Sequence, residues 1–311
     1  MITNNKVLHT TLNEAVDKIQ KLKIQGATNI ALFSLRILKS LASQFKNYAQ
    51  LHLATAQLAL ARPNEPLTRN TLSMLLTDLK DDLNPDLLTQ KINHYLNLLT
   101  TNKTRIAQYA AQLIQNQSAY ISHCHSTSLE SAFITAHKQN KKFTVYQTET
   151  RPLYQGRITA TNLHKAGIDV KLIVDDTAAW LVSVYDDLVD IKAVFVGADV
   201  ISQDGWVINK VGTFGISLSA FYTRIPVYVV ASLLKYQPVK GQKIKVEIRP
   251  ASEVWFKHPK GLSILNFAFD KTPPKFIKAF ITEAGLVSPD SIEQTVQRVY
   301  PNLVDKFSQP K

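Results

Sequence analysis

Several short apolar runs in the second half of the chain end on residues that can do chemistry. SAYISHC ends at His123, Cys124, His125 and Ser126, and FTVYQTET ends at Glu149, Thr150 and Arg151, with Gln155 and Arg157 just beyond. VKLIVDD ends on Asp175 and Asp176, AVFVGAD ends on Asp199 with Asn209 and Lys210 shortly after, and VYVVAS leads to Lys235. A thiol and carboxylates can move protons. Arginine grips phosphate with two parallel hydrogen bonds, and lysine offers a point charge. Together these residue types suit proton transfer on an anionic ligand. Cys124 lies between two histidines at the start of a helical pattern, which favours a thiol of lowered pKa. Its alternative is a small buried hydrophobe, the commoner fate of a lone cysteine. Consecutive side chains in HCH point different ways, so a shared tetrahedral metal is disfavoured. For Arg151, Arg157, Lys210 and Lys235 the alternative is a solvated surface. Thr213, behind Gly212, reads as the cap of a helix whose N-terminus would take an anion. No Ser-His-Asp signature and no glycine-rich phosphate loop is legible, which argues against nucleotide-dependent chemistry.

Such residues need a frame, and the texture of the chain supplies one. Up to about residue 115 apolar residues recur at three- and four-residue spacing, as in LNEAVDKIQKLKI, ATNIALFSLRILKSLASQF and AQLHLATAQLALA. A further helix ends at Leu79 to Asn84, and Pro85 suits the first turn of the next. After residue 116 the runs SAYISHC, KKFTVYQT, DVKLIVDD, AVFVGAD and PVYVVAS alternate with helical stretches SLESAFITAHKQN, ITATNLHKAG, TAAWLVSVYDDL and GISLSAFYTR. Alternation of this kind predicts a parallel sheet covered by helices. The expected fold is α/β: a helical N-terminal domain, residues 1–115, then a doubly wound Rossmann-like parallel-sheet domain, residues 116–311. Ligands bind such sheets outside the carboxyl ends of the strands, where the residues above collect.

Of the 311 residues 45% are hydrophobic and 19% charged, as in globular proteins, and no apolar run approaches the ~18 residues of a membrane span. The polar start and the single cysteine lead to the expectation of a cytoplasmic protein. The net charge of +12 admits nucleic acid, an anionic membrane surface or phosphorylated small molecules. The lysines are scattered, and the densest tract, Lys235 to Arg249, lacks aromatic interleaving. A solvated basic surface is favoured over a nucleic-acid site.

The stretches ETRPLYQGRITATNLHKAGIDVKLIVDDTAAWLV, VGADVISQDGWVINKVGT and NFAFDKTPPKFI resemble one superfamily. It comprises the ribose-1,5-bisphosphate isomerases, the methylthioribose-1-phosphate isomerases and the alpha, beta and delta subunits of eukaryotic translation initiation factor 2B. The catalytic members carry a cysteine after the first strand of the second domain and an aspartate in GAD; Cys124 and Asp199 match both. HCHS and NFAFDKTPP look more like the ribose-bisphosphate branch. The resemblance implies that an aldose 1-phosphate, most simply ribose 1,5-bisphosphate, becomes a ketose phosphate. Asp199, its pKa raised by burial, would protonate the ring oxygen. Cys124, its pKa lowered by cations, would take the proton from C2. Asn209 and Lys210 would stabilise developing negative charge; Arg151, Gln155, Arg157 and Lys235 would hold substrate. Gln25, Gly26 and Ala27 match an N-terminal substrate motif that usually opens with arginine, and Arg62, Lys23 or Arg69 would supply the missing charge. The resemblance implies no metal, nucleotide or redox cofactor, no membrane, and a homodimer or larger homo-oligomer. Methylthioribose-1-phosphate isomerisation, or a non-catalytic regulatory or sugar-phosphate-sensing subunit, are the other functions it allows.

Overall fold

The computed structural model describes residues 2–79, 83–183 and 189–303. Lys80 to Asp82, in the expected end of one helix, and Val184 to Leu188, in the helix expected over TAAWLVSVYDDL, lie outside them. Two compact units divide the chain: one runs to Asn102 and resumes at Val296, the other spans Lys103–Thr295.

The first unit is helical. It holds α1 (Ile2–Gln20), α2 (Ala27–Ser40), α3 (Tyr48–Leu60), α4 (Pro66–Leu79) and most of α5 (Pro85–Leu113). Pro66 and Pro85 open their helices where the missing N–H costs no bond. Asn47 caps α3 by accepting from the Gln50 amide at 3.0 Å. The central helix is α4: Leu67, Leu72, Leu75 and Leu76 are buried, and so are Thr68, Asn70, Thr71 and Ser73 on its other sides. A helix buried all round is enclosed by its neighbours, here α2 and α3.

In the second unit come β1 (Ser118–His123), α6 (Thr127–Lys138), β2 (Phe143–Thr148), α7 (Gln155–Lys165), β3 (Asp169–Ile173), α8 (Asp175–Leu181), β4 (Ile191–Val196), β5 (Val200–Ser202), β6 (Val207–Lys210), α9 (Thr213–Tyr222), β7 (Val227–Val230), β8 (Tyr236–Gln237), α10 (Ala251–Val254), β9 (Phe269–Thr272), β10 (Ala279–Thr282) and β11 (Gly285–Val287). The last helix, α11 (Ile292–Val299), leads back into the first unit. The main sheet has seven strands in the order β11-β10-β7-β4-β1-β2-β3, all pairs parallel except β10 with β11. From β1 the chain winds outward through α6, β2 and α7 to β3. From β4 it winds the other way through α9 to β7. Right-handed crossovers in opposite directions put the two helix sets on opposite faces. This is the expected doubly wound α/β arrangement.

Apolar burial on both faces explains the near-continuous hydrophobic strands. Tyr120, Phe133, Phe143 and Phe195 form the centre of one core cluster, with Phe133 edge-on to Phe195 at 5.9 Å. Each such side chain contributes about 1.5–3 kcal/mol by burial. Ile106, Ala110 and Ala111 of α5 join this cluster. Secondary structure therefore changes near residue 115, whereas the units divide one long helix at Asn102 and Lys103.

A second sheet of four short strands, order β8-β5-β6-β9, was not foreseen from sequence. Its β5–β6 hairpin turns through Asp204 and Gly205, where Gly205 has φ +74°. Ser202 donates to Asp204 Oδ1 at 2.7 Å and accepts from the Trp206 amide at 2.8 Å. This sheet exists to carry β6, whose last residues are Asn209 and Lys210.

Candidate active site

The strand order of the main sheet reverses between β1 and β4, which pair in register from Tyr120 with Ala193 to His123 with Val196, after a shift at Ala119. Cys124 follows the last residue of β1, and Gly197-Ala198-Asp199 follows β4. The thiol and the carboxylate thus leave the sheet side by side at its switch point, where open α/β sheets bind ligands.

Cys124 has φ +67°, a left-handed conformation rare for a residue with a side chain. Both of its backbone groups are held. Its amide donates to Thr150 Oγ1 at 3.1 Å, and its carbonyl accepts from Gln147 Nε2 at 3.1 Å. The thiol donates weakly to Gln155 Oε1 at 3.9 Å. Burial pushes the thiol up to about 11; Lys210 and the His125 amide oppose this, while Asp199 and Asp175 add to it. The expected lowering of the thiol is therefore reversed, because desolvation outweighs the cation. The flanking histidines do not help. Burial lowers the pKa of both. His123 binds Thr148 Oγ1 and the Val211 carbonyl, and His125 binds Thr159 Oγ1 at 2.8 Å.

Lys210 supplies the cation. It is 4% exposed, its ammonium lies 5.1 Å from the centre of the Phe269 ring, and among the described residues it has no carboxylate partner. Asn209 beside it is also buried and donates to Thr213 Oγ1 at 2.9 Å, which in turn donates to the Lys210 carbonyl at 2.7 Å. Lys235 donates its ammonium to the Ala198 carbonyl, tying down the residue before Asp199. Asp199 itself is half-buried, and its amide donates to Ile208 at 2.9 Å.

Two expectations change. Thr213 does not cap α9, and the N-terminus of that helix is not open to a ligand anion. Asp270 of β9 already occupies it, one carboxylate oxygen accepting from the amides of Gly212 at 2.7 Å and Phe214 at 3.0 Å. Asp270 faces Asn209 across the β6–β9 ladder. Its other oxygen is buried without a partner, and burial raises its pKa to about 6.

Arg151 and Arg157 form a different kind of cluster. Both are exposed. Arg157 pairs with Glu149 at 2.6 Å and lies 3.7 Å over the Tyr154 ring. Arg151 donates to Tyr154 Oη at 2.7 Å and to the Val254 carbonyl at 2.8 Å. Asp175 shapes the loop below them by accepting from the amides of Thr150 and Arg151, each at 2.7 Å. Gly156 is required here, since a Cβ would meet the Thr148 carbonyl oxygen at 1.8 Å.

Gln25, Gly26, Ala27 and Arg62 belong to the first unit. Gly26 is the N-cap of α2 with φ +86°, and Ala27 is its buried first residue. Gln25 is exposed and its carbonyl accepts from Asn29 at 3.1 Å. Arg62 pairs with Glu65 at 2.9 Å. Among the described residues no group of three or more His, Cys, Asp or Glu side chains could hold a metal, and no helix is long and apolar enough to cross a membrane.

Residues 22–289 match the model of the initiation factor 2 subunit family. The chain belongs to that family. Over 301 residues it is 32% identical to a ribose 1,5-bisphosphate isomerase of Methanocaldococcus jannaschii, covering 93% of this chain and 95% of that one. Over 309 residues it is 33% identical to a methylthioribose-1-phosphate isomerase of Yersinia pseudotuberculosis, covering 92% and 87%. Among solved structures, the translation initiation factor eIF-2B of Pyrococcus horikoshii superposes with a TM-score of 0.78 at 26% identity, covering 89% of this chain and 97% of that chain. Family membership accounts for the helical unit followed by the doubly wound sheet. Within this family member, sequence reasoning missed Asp270 and Thr148 beside the thiol, and it named Thr150 at its strand end without giving it a role. Asp270 lies in NFAFDKTPP, a motif noticed only as a resemblance, and Thr150 sits between the charged Glu149 and Arg151 that drew attention.

Proposed function

We propose that this family member is an aldose–ketose isomerase of sugar 1-phosphates, with ribose 1,5-bisphosphate as substrate and ribulose 1,5-bisphosphate as product. One observation carries the reading: Lys210 is a buried ammonium with no carboxylate partner among the described residues, beside a thiol and an aspartate at the switch point of the sheet. An unpaired buried charge is costly, and an anionic ligand or developing oxyanion relieves it.

A 1-phosphate blocks opening to a free aldehyde, so the ring must break in the same sequence that removes a proton. Asp199 gives its proton to the ring oxygen and the bond from C1 to that oxygen breaks. Cys124 as thiolate takes the C2 proton, and a C1=C2 enol forms. The enol then gives its C2 hydroxyl proton to the Asp199 carboxylate and gains a proton at C1 from the thiol, leaving the C2 ketone and restoring both groups. Each positioned proton transfer is worth ~10²–10⁴ in rate. Burial is what raises the Cys124 thiol and the Lys210 ammonium opposes it, so Lys210 is the group that stabilises the thiolate when it forms. Asn209 holds the turn after Lys210, Arg151, Gln155, Arg157 and Lys235 form the substrate-binding set of the second unit, and Gln25, Gly26, Ala27 and Arg62 are that of the first. We read the protein as a cytoplasmic homodimer or larger assembly; the lone thiol suits a reducing compartment, and the exposed Phe221 and Tyr222 on α9 offer apolar surface for a second copy.

Incubation with ribose 1,5-bisphosphate in D₂O, followed by NMR, tests the reading. Appearance of ketose supports it, whether C1 carries the hydrogen returned by the thiol or deuterium that the thiol exchanged with solvent. Conversion of methylthioribose 1-phosphate alone moves the substrate but keeps the reaction. Failure to convert either substrate, with tight binding by calorimetry, overturns it in favour of a sensing subunit.

A further inference from the structure

The hydrogen bond that the Cys124 amide donates begins a directed chain whose far end is Asp270. Val211 contributes only a carbonyl, so His123 Nε2 must carry a proton and donate to it at 2.9 Å. His123 is 1% exposed and its pKa is lowered by burial, so the ring is neutral and Nδ1 is a bare acceptor. Thr148 Oγ1 therefore donates to Nδ1 at 2.8 Å. With its proton committed, Thr148 Oγ1 accepts from Thr150 Oγ1 at 3.0 Å. Thr150 Oγ1 in turn accepts from the Cys124 amide at 3.1 Å. At the other end, the peptide unit whose carbonyl belongs to Val211 has the amide of Gly212, and that amide donates to Asp270 Oδ2 at 2.7 Å. The Thr150 hydroxyl has a second, longer acceptor in the Thr148 carbonyl at 3.4 Å, and the 3.0 Å bond to Thr148 Oγ1 is the shorter of the two. Gly212 is needed where the chain turns: its φ is +109°, and a Cβ would meet His123 Cε1 at 3.0 Å.

We propose that Asp270 and His123 are positioning residues for Cys124, acting through this chain to hold the cysteine amide in its left-handed conformation. The proposal rests on the reading of Cys124 as the reacting thiol. Its physical basis is strain. Cys124 and Thr150 both have positive φ, at 67° and 64°, conformations that persist only when neighbours over-determine them. A carboxylate at one end of a hydrogen-bond chain polarises each bond along it, which stiffens the whole. Asp270 also bonds the Phe214 amide, so the start of α9 and the backbone of the thiol are held by one group.

Thr148 sits mid-chain and is buried, and it gives the cleanest test. Thr148→Val keeps shape and removes the hydroxyl; Thr148→Ser keeps the hydroxyl. Cys124 is the only cysteine, so iodoacetamide labelling reports on it alone. Thr148→Val should change the labelling rate at pH 9 by about fivefold or more. It should also lower kcat by about tenfold with KM within about threefold of wild type, the signature of lost positioning. Thr148→Ser should stay within about twofold of wild type in both. Asp270→Asn, which keeps an acceptor but not the charge, should lower kcat less. The double variant Thr148→Val/Asp270→Asn should be no worse than Thr148→Val, because both act through one chain. Thermal unfolding checks that all variants are folded. A serine variant as impaired as the valine variant, or losses that multiply in the double variant, overturns the proposal. Labelling needs no turnover. If no sugar phosphate is isomerised, the labelling series still decides the chain, while turnover with equal valine and serine variants sinks the chain and keeps the isomerase.

Discussion

Lys210 and Arg157 carry the same charge on neighbouring parts of one sheet rim and stand in opposite situations. Lys210 is buried without a carboxylate partner among the described residues. Arg157 is exposed, paired with Glu149 at 2.6 Å and stacked on Tyr154. By residue type alone the sequence offers both as cations near strand ends, and only the resemblance gave them different roles. Their surroundings make them unlike. A buried charge is undersolvated, and each new interaction it gains is felt at low effective dielectric. An exposed, paired charge has already been satisfied by protein and water, and exchanging one partner for another yields about 0–1 kcal/mol. The Lys210 side of the rim should therefore govern chemistry and the Arg157 side should adjust affinity.

The largest effect expected is in the titration of the thiol. With the Cys124 pKa pushed up to about 11, the reactive thiolate is scarce at neutral pH. Labelling of the free protein should rise about tenfold per pH unit from pH 7 to about 10, roughly a thousandfold in all. The same shift makes the folded protein hold its thiol proton more tightly than the unfolded chain. Its contribution to stability is present below pH 9 and fades as pH rises toward 11. A labelling plateau below pH 8 breaks the comparison, because Lys210 would then outweigh burial.

Next come the groups on the buried side. Asp199→Asn retains shape and cannot donate a carboxylic proton, so kcat should fall by ~10²-fold or more in a folded protein. Lys210→Met keeps length and removes the charge. It should lower kcat by about 10- to 100-fold and slow labelling of Cys124 at fixed pH, since the ammonium opposes the rise of the thiol. Wild-type turnover in either variant removes the distinction between the two sides of the rim.

What the sequence made legible follows from the range of the forces involved. The apolar runs of β1, β2, β3, β4 and β7 and the periodic helices are local patterns, and so is the rule that chemistry gathers at strand ends. Cys124 and Asp199 were found by that rule and by resemblance. Two kinds of fact were hidden. The desolvation of Cys124 depends on what packs around it, so a thiol expected to be low is high. Asp270 reaches the start of α9 only because β9, some sixty residues on, pairs with β6. No spacing rule joins NFAFDK to VGT. The short strands of the second sheet were missed for the same reason: two to four residues carry too little periodicity to read.

A smaller effect is expected in the first unit. Gln25 stands where the resemblance implies an arginine, and glutamine hydrogen-bonds without charge. Gln25→Arg should lower KM for ribose 1,5-bisphosphate by about tenfold with kcat unchanged, as uniform binding does. Steady-state kinetics with the bisphosphate and with a monophosphate separate the cases. An unchanged KM for both would mean that the charge is supplied elsewhere or that the substrate carries no second phosphate.

The smallest effect belongs to Arg157, and it sharpens the comparison most. To hold a phosphate, Arg157 must leave or share Glu149, so the gain is the difference between two charge-assisted contacts at an exposed position. The Tyr154 ring stacks with the guanidinium in either case and contributes about 0.5–1 kcal/mol to keeping it in place. Arg157→Gln should therefore raise KM by about threefold or less and leave kcat alone. Glu149→Gln removes the competitor and should lower KM by a similar factor, with the effect fading in high salt because the pair is exposed. If Arg157→Gln instead raised KM by thirtyfold or more while Glu149→Gln changed nothing, the arginine would be a principal phosphate ligand despite its exposure. The two sides of the rim would then differ in partner and not in worth.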